Sequence, residues 1–165
     1  MLKGKNIGVV GGGKMGGALI EGMLSRGMVE AAAITVADKD EQRLVELAKA
    51  HGVSVTTDNR AAVRNADLVI LSVKPQNMAE VLSELAGTAI PPALFISIAA
   101  GIATSFIEER LGMGVRVVRV MPNLPALIGE GAAALASGAF AGNEDLELAR
   151  RIFTAVGIAV EVEES

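Results

Sequence analysis

Short apolar runs alternate with longer segments in which apolar residues recur every three to four positions, and the alternation persists along the chain. The runs have the length of strands and the periodic segments that of helices. Lys5 to Val10 reads as a strand. Lys14 to Arg26 reads as a helix whose apolar stripe is Met15, Leu19 and Met23, flanked by Ile20 and Leu24. Ile34 to Ala37 and Asp40 to His51 repeat the pair, the helix showing Leu44, Leu47 and Ala48. Val53 to Val55 is a short third strand, and Asp58 is placed to cap the short helix that follows. Leu68 to Val73 is apolar at nearly every position, as befits a strand covered by helices on both faces.

Further along, the pattern predicts a helix over Gln76 to Ala86, a break at Pro91-Pro92 and a strand over Leu94 to Ile98. A helix is expected after Thr104, where Ser105 and Glu108 have capping-box spacing. Val115 to Val120 is another strand. The last third holds a small-residue strand, Gly131 to Ser137, a helix over Asn143 to Val156 with acidic residues in its first turn, and a closing strand, Ile158 to Val162. Strands alternating with helices throughout predict an α/β fold of Rossmann type: a doubly wound, mostly parallel sheet with helices on both faces. There is no internal repeat and no interior linker. The one boundary-like feature is the acidic end, residues 161–165.

The chemistry concentrates at the expected strand ends. Gly11-Gly12-Gly13-Lys14-Met15-Gly16 satisfies G-x-G-x-x-G directly after the first strand and at the start of the first helix. In that setting the first glycine makes the tight turn, the second lets backbone approach a pyrophosphate, and the third lets helix pack on strand. The helix N-terminus adds free N–H groups and partial positive charge. Asp38 follows the second strand, 22 residues after Gly16, where a carboxylate can accept from an adenosine ribose. With Lys39 and Asp40 it also fits a solvated turn in which Asp40 caps the next helix, so both readings stand. Ser72-Val73-Lys74-Pro75, Ala99-Ala100-Gly101 and Met121-Pro122-Asn123-Leu124-Pro125 end strands on the same side. Lys74 suits a phosphate, a ribose or plain solvation beside Pro75. Asn123 and Asn59 suit either a ligand or an Asx-type turn. His51 precedes Gly52 at a helix end and reads as a partner of the helix dipole.

Composition narrows the classes. At 165 residues the chain makes one domain, and 51% hydrophobic residues provide for a packed core. Its net charge is −4, it has no basic run, and its only aromatics are four Phe, which argues against a nucleic-acid platform. It has no Cys and a single His, so disulfides and thiolate or histidine metal clusters are excluded and redox chemistry must come from a cofactor. Neither a Ser-His-Asp arrangement nor a Tyr-Lys pair can be assembled, since Tyr is absent. No stretch reads as a secretory signal or a membrane span, and the cytoplasm is the expected compartment.

Taken together, Ile7-Gly8 with Gly11 to Ala18, Val73-Lys74-Pro75, Ser97 to Gly101, and Arg119 to Asn123 with Pro125-Ala126 resemble the N-terminal domain of the pyrroline-5-carboxylate reductases. The resemblance runs over essentially the whole chain and implies that residues 1–162 are one dinucleotide-binding domain and residues 163–165 the start of a connection to a further one. It implies NAD(P)H-dependent reduction of a cyclic imine to proline in a longer protein, whose C-terminal helical domain holds the substrate and forms a homo-oligomer. It also implies that Val10, Gly11, Gly12, Gly13, Lys14, Met15 and Asp38 line the cofactor pocket, with Asn59 near the adenosine ribose. Ser72, Val73, Lys74, Pro75, Ala99, Ala100 and Gly101 would border the ribose and nicotinamide, and Asn123 would lie near the nicotinamide. No catalytic acid is implied within this chain. The family generally prefers NADP, whereas Asp38 favours NAD; Leu124 replaces the family's usual threonine. Two alternatives are a stand-alone dinucleotide-sensing module and another reductase of the 3-hydroxyacid-dehydrogenase-like group.

Overall fold

Four-residue strands that are buried end to end form the middle of the sheet: β1 (Ile7–Val10), β4 (Leu68–Leu71) and β5 (Leu94–Ser97). Such runs bury both faces, which only a layer of helices on each side allows. A computed structural model of the chain describes residues 2–86, 92–112 and 114–164. The expectations touching Pro91, Ser165 and the Leu124 side chain lie outside what it describes.

The other strands are β2 (Ile34–Ala37), β3 (Ser54–Thr56), β6 (Arg116–Met121), β7 (Gly131–Ser137) and β8 (Gly157–Glu161), in the order β3-β2-β1-β4-β5-β6-β7-β8. All neighbours pair parallel except β6 with β7. That exception follows from length, because residues 122–130 are too few for the crossover of about a dozen residues that a parallel return needs. The chain instead passes through a short 3-10 turn at Leu124–Ile128 and comes back antiparallel.

Among the described residues six helices cover the sheet: α1 (Lys14–Ser25), α2 (Glu41–His51), α3 (Asn59–Val63), α4 (Met78–Ala86), α5 (Thr104–Leu111) and α6 (Asn143–Thr154). Strand alternation sorts the core into two layers. Ile7, Val9, Leu68, Ile70, Leu94 and Ile96 face α1, α2 and α6 through Leu19, Ile20, Leu47, Ile152 and Phe153. Val10, Val69, Leu71 and Phe95 face α3, α4 and α5 through Val63, Leu82, Leu85 and Ile107. Among the described residues no helix is long and apolar enough to cross a membrane.

Local chemistry sets several ends. Asp40 caps α2 by accepting from the Arg43 N–H, and Asp58 caps α3 through the Arg60 N–H. A 3-10 turn at Pro75–Asn77 leads into α4, so the regular helix begins two residues later than its periodicity suggests. The capping box expected at Ser105 and Glu108 does not form. The N-cap of α5 is Ala103, the Thr104 N–H donates to the Glu164 carboxylate, and the buried Glu108 carboxylate turns inward to accept from the Ala139 N–H. Spacing alone cannot distinguish a capping glutamate from one recruited by a distant loop. His51 does not act only at its own helix end either, since its Nδ1 lies 3.1 Å from Glu21 of α1.

Candidate functional site

The strand order reverses at β1, because β2 lies on one side of it and β4 on the other. Connections leaving the two sides diverge there and open a crevice beyond the strands' carboxyl ends. A cleft of about 380 Å³ occupies this position. Gly11 and Gly13 line it from the loop after β1, Ala37, Asp38 and Lys39 from the end of β2, and Asn59 from α3. Ser72, Val73 and Lys74 line it beyond β4, with Asn77, Glu80 and Val81 opposite them.

The glycine-rich loop is held from both sides. Gly11 has φ +100°, and a Cβ there would stand 2.5 Å from the Ser72 carbonyl oxygen. At Gly16 a Cβ would lie 2.7 Å from both the Gly11 carbonyl oxygen and Ser72 Oγ, so loop, helix and β4 meet at van der Waals limits. Ser72 Oγ donates to the Gly11 carbonyl at 2.8 Å. Gly13, by contrast, faces open space. α1 starts immediately after it with no side-chain cap and no acidic residue in its first turn. Its first N–H groups and its positive dipole end are therefore available to an anion.

From behind, Asp38 and Arg43 grip Gly12. Asp38 Oδ2 accepts the Gly12 N–H at 2.7 Å, and its Oδ1 accepts the Asp40 N–H at 2.9 Å. Arg43 Nε donates to the Gly12 carbonyl and its Nη2 reaches the Gly13 carbonyl at 3.4 Å. Asp38 thus serves the turn and lines the cleft at once. At the cleft mouth Lys39 Nζ lies 3.0 Å from Glu80, whose hydrogen bond and charge raise the lysine pKa above its ordinary value. The buried Asn59 donates Nδ2 to Glu84 at 2.9 Å.

The remaining expected residues are distributed differently. Val10 and Gly12 are buried behind the loop, Met15 packs against the core, and Lys14 and Pro75 are exposed beside the cleft. Ala99, Ala100 and Gly101 follow β5, outside the cleft lining, with Ala99 buried and the other two exposed. Asn123 closes a turn, its Oδ1 accepting the Ala132 N–H at 3.0 Å. Sequence reading missed Arg43, Asn77, Glu80 and Val81. Arg43 acts 31 positions from its glycine, and Glu80 meets Lys39 from 41 positions away, so no local signal marks either. Among the described residues no cluster of His, Asp or Glu could hold a metal ion.

The chain is 45% identical over 164 residues to pyrroline-5-carboxylate reductase of Methanosarcina acetivorans, covering 99% of this chain and 61% of that protein. It matches the solved structure of a pyrroline-5-carboxylate reductase from Coxiella burnetii at 34% identity with a TM-score of 0.92, over 98% of this chain and 60% of that one. It matches pyrroline carboxylate reductase of Plasmodium falciparum, solved with NADP bound, at 26% identity with a TM-score of 0.83, over 98% and 59% of the two chains. The chain thus spans about 60% of the length of these relatives. Residues 6–101, from β1 past β5 and containing the entire cleft lining, match the model of one family, and on that match the chain belongs to the family described as NADP oxidoreductase coenzyme F420-dependent.

Proposed function

We propose that this chain is the dinucleotide-binding part of an NAD(P)H-dependent reductase that converts 1-pyrroline-5-carboxylate to proline. The observation that carries the reading is the uncapped N-terminus of α1 opening, beside Gly13, onto the cleft at the β1/β4 switch point. An extended anionic cofactor is the ligand such a site fits. The similarity along the whole chain to proteins named pyrroline-5-carboxylate reductase supports the choice of reaction.

When bound, the reduced nicotinamide supplies a hydride to the imine carbon. The protein's own work is positional. The N–H groups of Lys14 and Met15 and the Gly11–Gly13 backbone would receive the pyrophosphate, with Val10 at the floor and Gly12 holding the loop. Asp38 and Asn59 serve the adenosine ribose. Ser72 to Pro75 and Ala99 to Gly101 border the nicotinamide half, with Asn123 beyond them. By holding the cofactor in place these residues would turn encounter with the imine into a near-unimolecular step. The ring nitrogen must gain a proton as the carbon gains the hydride, and no group of this chain is assigned to that transfer. We assign the donor, the substrate carboxylate contacts and the homo-oligomer surface to a further helical domain connected through residues 163–165, in a protein of the cytoplasm.

Titrating the chain with NADH and NADPH tests the reading. Saturable binding without imine-dependent cofactor oxidation is expected. Absence of binding sinks the proposal, and turnover by this chain alone sinks the assignment of the substrate groups elsewhere.

A further inference from the structure

We infer that Glu164 is a positioning residue for the nicotinamide half of the cofactor, acting through Thr104 on the loop between β5 and α5. The inference rests on the reading of the cleft as a dinucleotide site. In a doubly wound sheet the adenosine half lies over the second strand, so the nicotinamide half extends over the ends of β4 and β5. Residues 98–103 form the loop there. Its first end is fixed by the sheet, since the Ile98 N–H donates to the Leu71 carbonyl at 3.1 Å and the Ala99 N–H to Ser97 Oγ at 3.3 Å. Its middle stands open. Ala100 and Gly101 are exposed, and Gly101 turns at φ +74° with free space where a Cβ would stand.

The other end depends on Glu164. α5 begins after Ala103 with no side-chain cap at that position and no acidic residue in its first turn. Glu164, 60 positions away, supplies both. Its carboxylate accepts the Thr104 N–H at 3.1 Å and the Thr104 hydroxyl at 2.7 Å, at the positive end of the helix dipole. Glu164 is itself held. The Val162 N–H donates to the Leu135 carbonyl just past β8, and Arg119 Nη1 of β6 lies 3.4 Å from Glu164 Oε2. The two side chains are only 15% and 20% exposed, so solvent screens the pair weakly. Among the described residues Arg119 Nε has no partner, which leaves Glu164 as the group that engages this guanidinium. Glu108, one turn further along α5, is turned to the Ala139 N–H instead. A carboxylate from beyond β8 thus sets where the loop ends, and a loop pinned at both ends meets the nicotinamide half at a lower ordering cost.

The test sets each reduced dinucleotide against the fragment that lacks nicotinamide, ADP for NADH and 2′-phospho-ADP for NADPH, in calorimetric titrations. The parent should bind at least one dinucleotide more tightly than its fragment. Glu164→Ala should weaken that dinucleotide about three- to tenfold and leave the fragment within about twofold. Thr104→Val should act in the same direction, and Thr104→Ser, which keeps the hydroxyl, should bind like the parent. Amide hydrogen exchange over residues 100–104 should quicken in Glu164→Ala while that of β1 and β4 holds. If Glu164→Ala does not fold, the two Thr104 variants decide. An equal loss for dinucleotide and fragment, or no loss in folded variants, overturns the inference. A parent that binds dinucleotide no more tightly than fragment also overturns it and leaves the adenosine site intact. Absence of binding by dinucleotides and fragments alike overturns the reading of the cleft as well.

Discussion

Arg43 donates its Nε to the carbonyl of Gly12, reaching from α2 to a loop 31 residues earlier in the chain. The same glycine gives its N–H to Asp38, so one residue of the glycine-rich loop is held at both polar groups by the β2–α2 segment. The room for this arginine is made by Gly17, where a Cβ would stand 2.6 Å from Nη2.

Arg43→Met keeps the aliphatic packing and removes the donor. It should lower stability by about 1 kcal/mol, seen as a shift in the urea midpoint. Because the loop loses its rear brace, dinucleotide affinity should fall severalfold in the same preparation. A variant that binds like the parent would show that the loop holds its shape without Arg43.

Gly13→Ala and Gly16→Ala should separate binding from folding. Gly13 has φ −67° and open space around it, so alanine fits and the melting temperature should hold, while the new methyl stands where a phosphate must approach. Gly16→Ala drives a methyl into the Gly11 carbonyl and Ser72 and should cost about 1–3 kcal/mol as well as binding. Calorimetric titration beside thermal melts checks both. Unimpaired binding by Gly13→Ala would remove that residue from the phosphate path.

Asn123→Ala deletes the acceptor for the Ala132 N–H and should cost about 1 kcal/mol. Asn123→Asp, which keeps an acceptor at that place, should recover most of the loss. Dinucleotide affinity of this chain should stay within about twofold in both, as Asn123 lies outside the cleft lining. A large loss of affinity in a stably folded Asn123→Ala would instead put its amide on the ligand.

Glu164 ties the chain's last described residues to α5 and β6. Its carboxylate accepts the Thr104 N–H at 3.1 Å and the Thr104 hydroxyl at 2.7 Å, and lies 3.4 Å from Arg119. Burial pushes its pKa up, but these bonds together outweigh burial and hold it below the ordinary value. A carboxyl depressed in the folded state contributes its full stability above the unfolded value of about 4.3 and loses it as pH falls through the folded one. Glu164→Gln should therefore be less stable than the parent at pH 7, with the difference shrinking below about pH 4. A difference independent of pH in paired denaturation curves would exclude the charge as its source.

The element order, the parallel centre of the sheet and the place of the glycine-rich turn were legible because each rests on local information. Periodicity marks α1 and α2, an unbroken apolar run marks β4, and G-x-G-x-x-G between strand and helix marks the cleft. Boundaries moved where non-local bonds intervene: Glu164 and not Ser105 or Glu108 serves the start of α5, and β7 runs antiparallel because residues 122–130 are too short to cross over.

By itself the sequence determined an α/β domain with a glycine-rich loop between its first strand and first helix, since strand and helix periods and glycine's missing Cβ act over a few residues. Only the tertiary structure decided which side chains share the cleft. It brought Arg43 behind Gly12, set Glu80 against Lys39, and joined Asp38 to both the loop and the mouth. Hydrogen bonds and ion pairs reach only about 3–4 Å, so contacts between residues tens of positions apart exist only once the sheet has fixed where each strand ends.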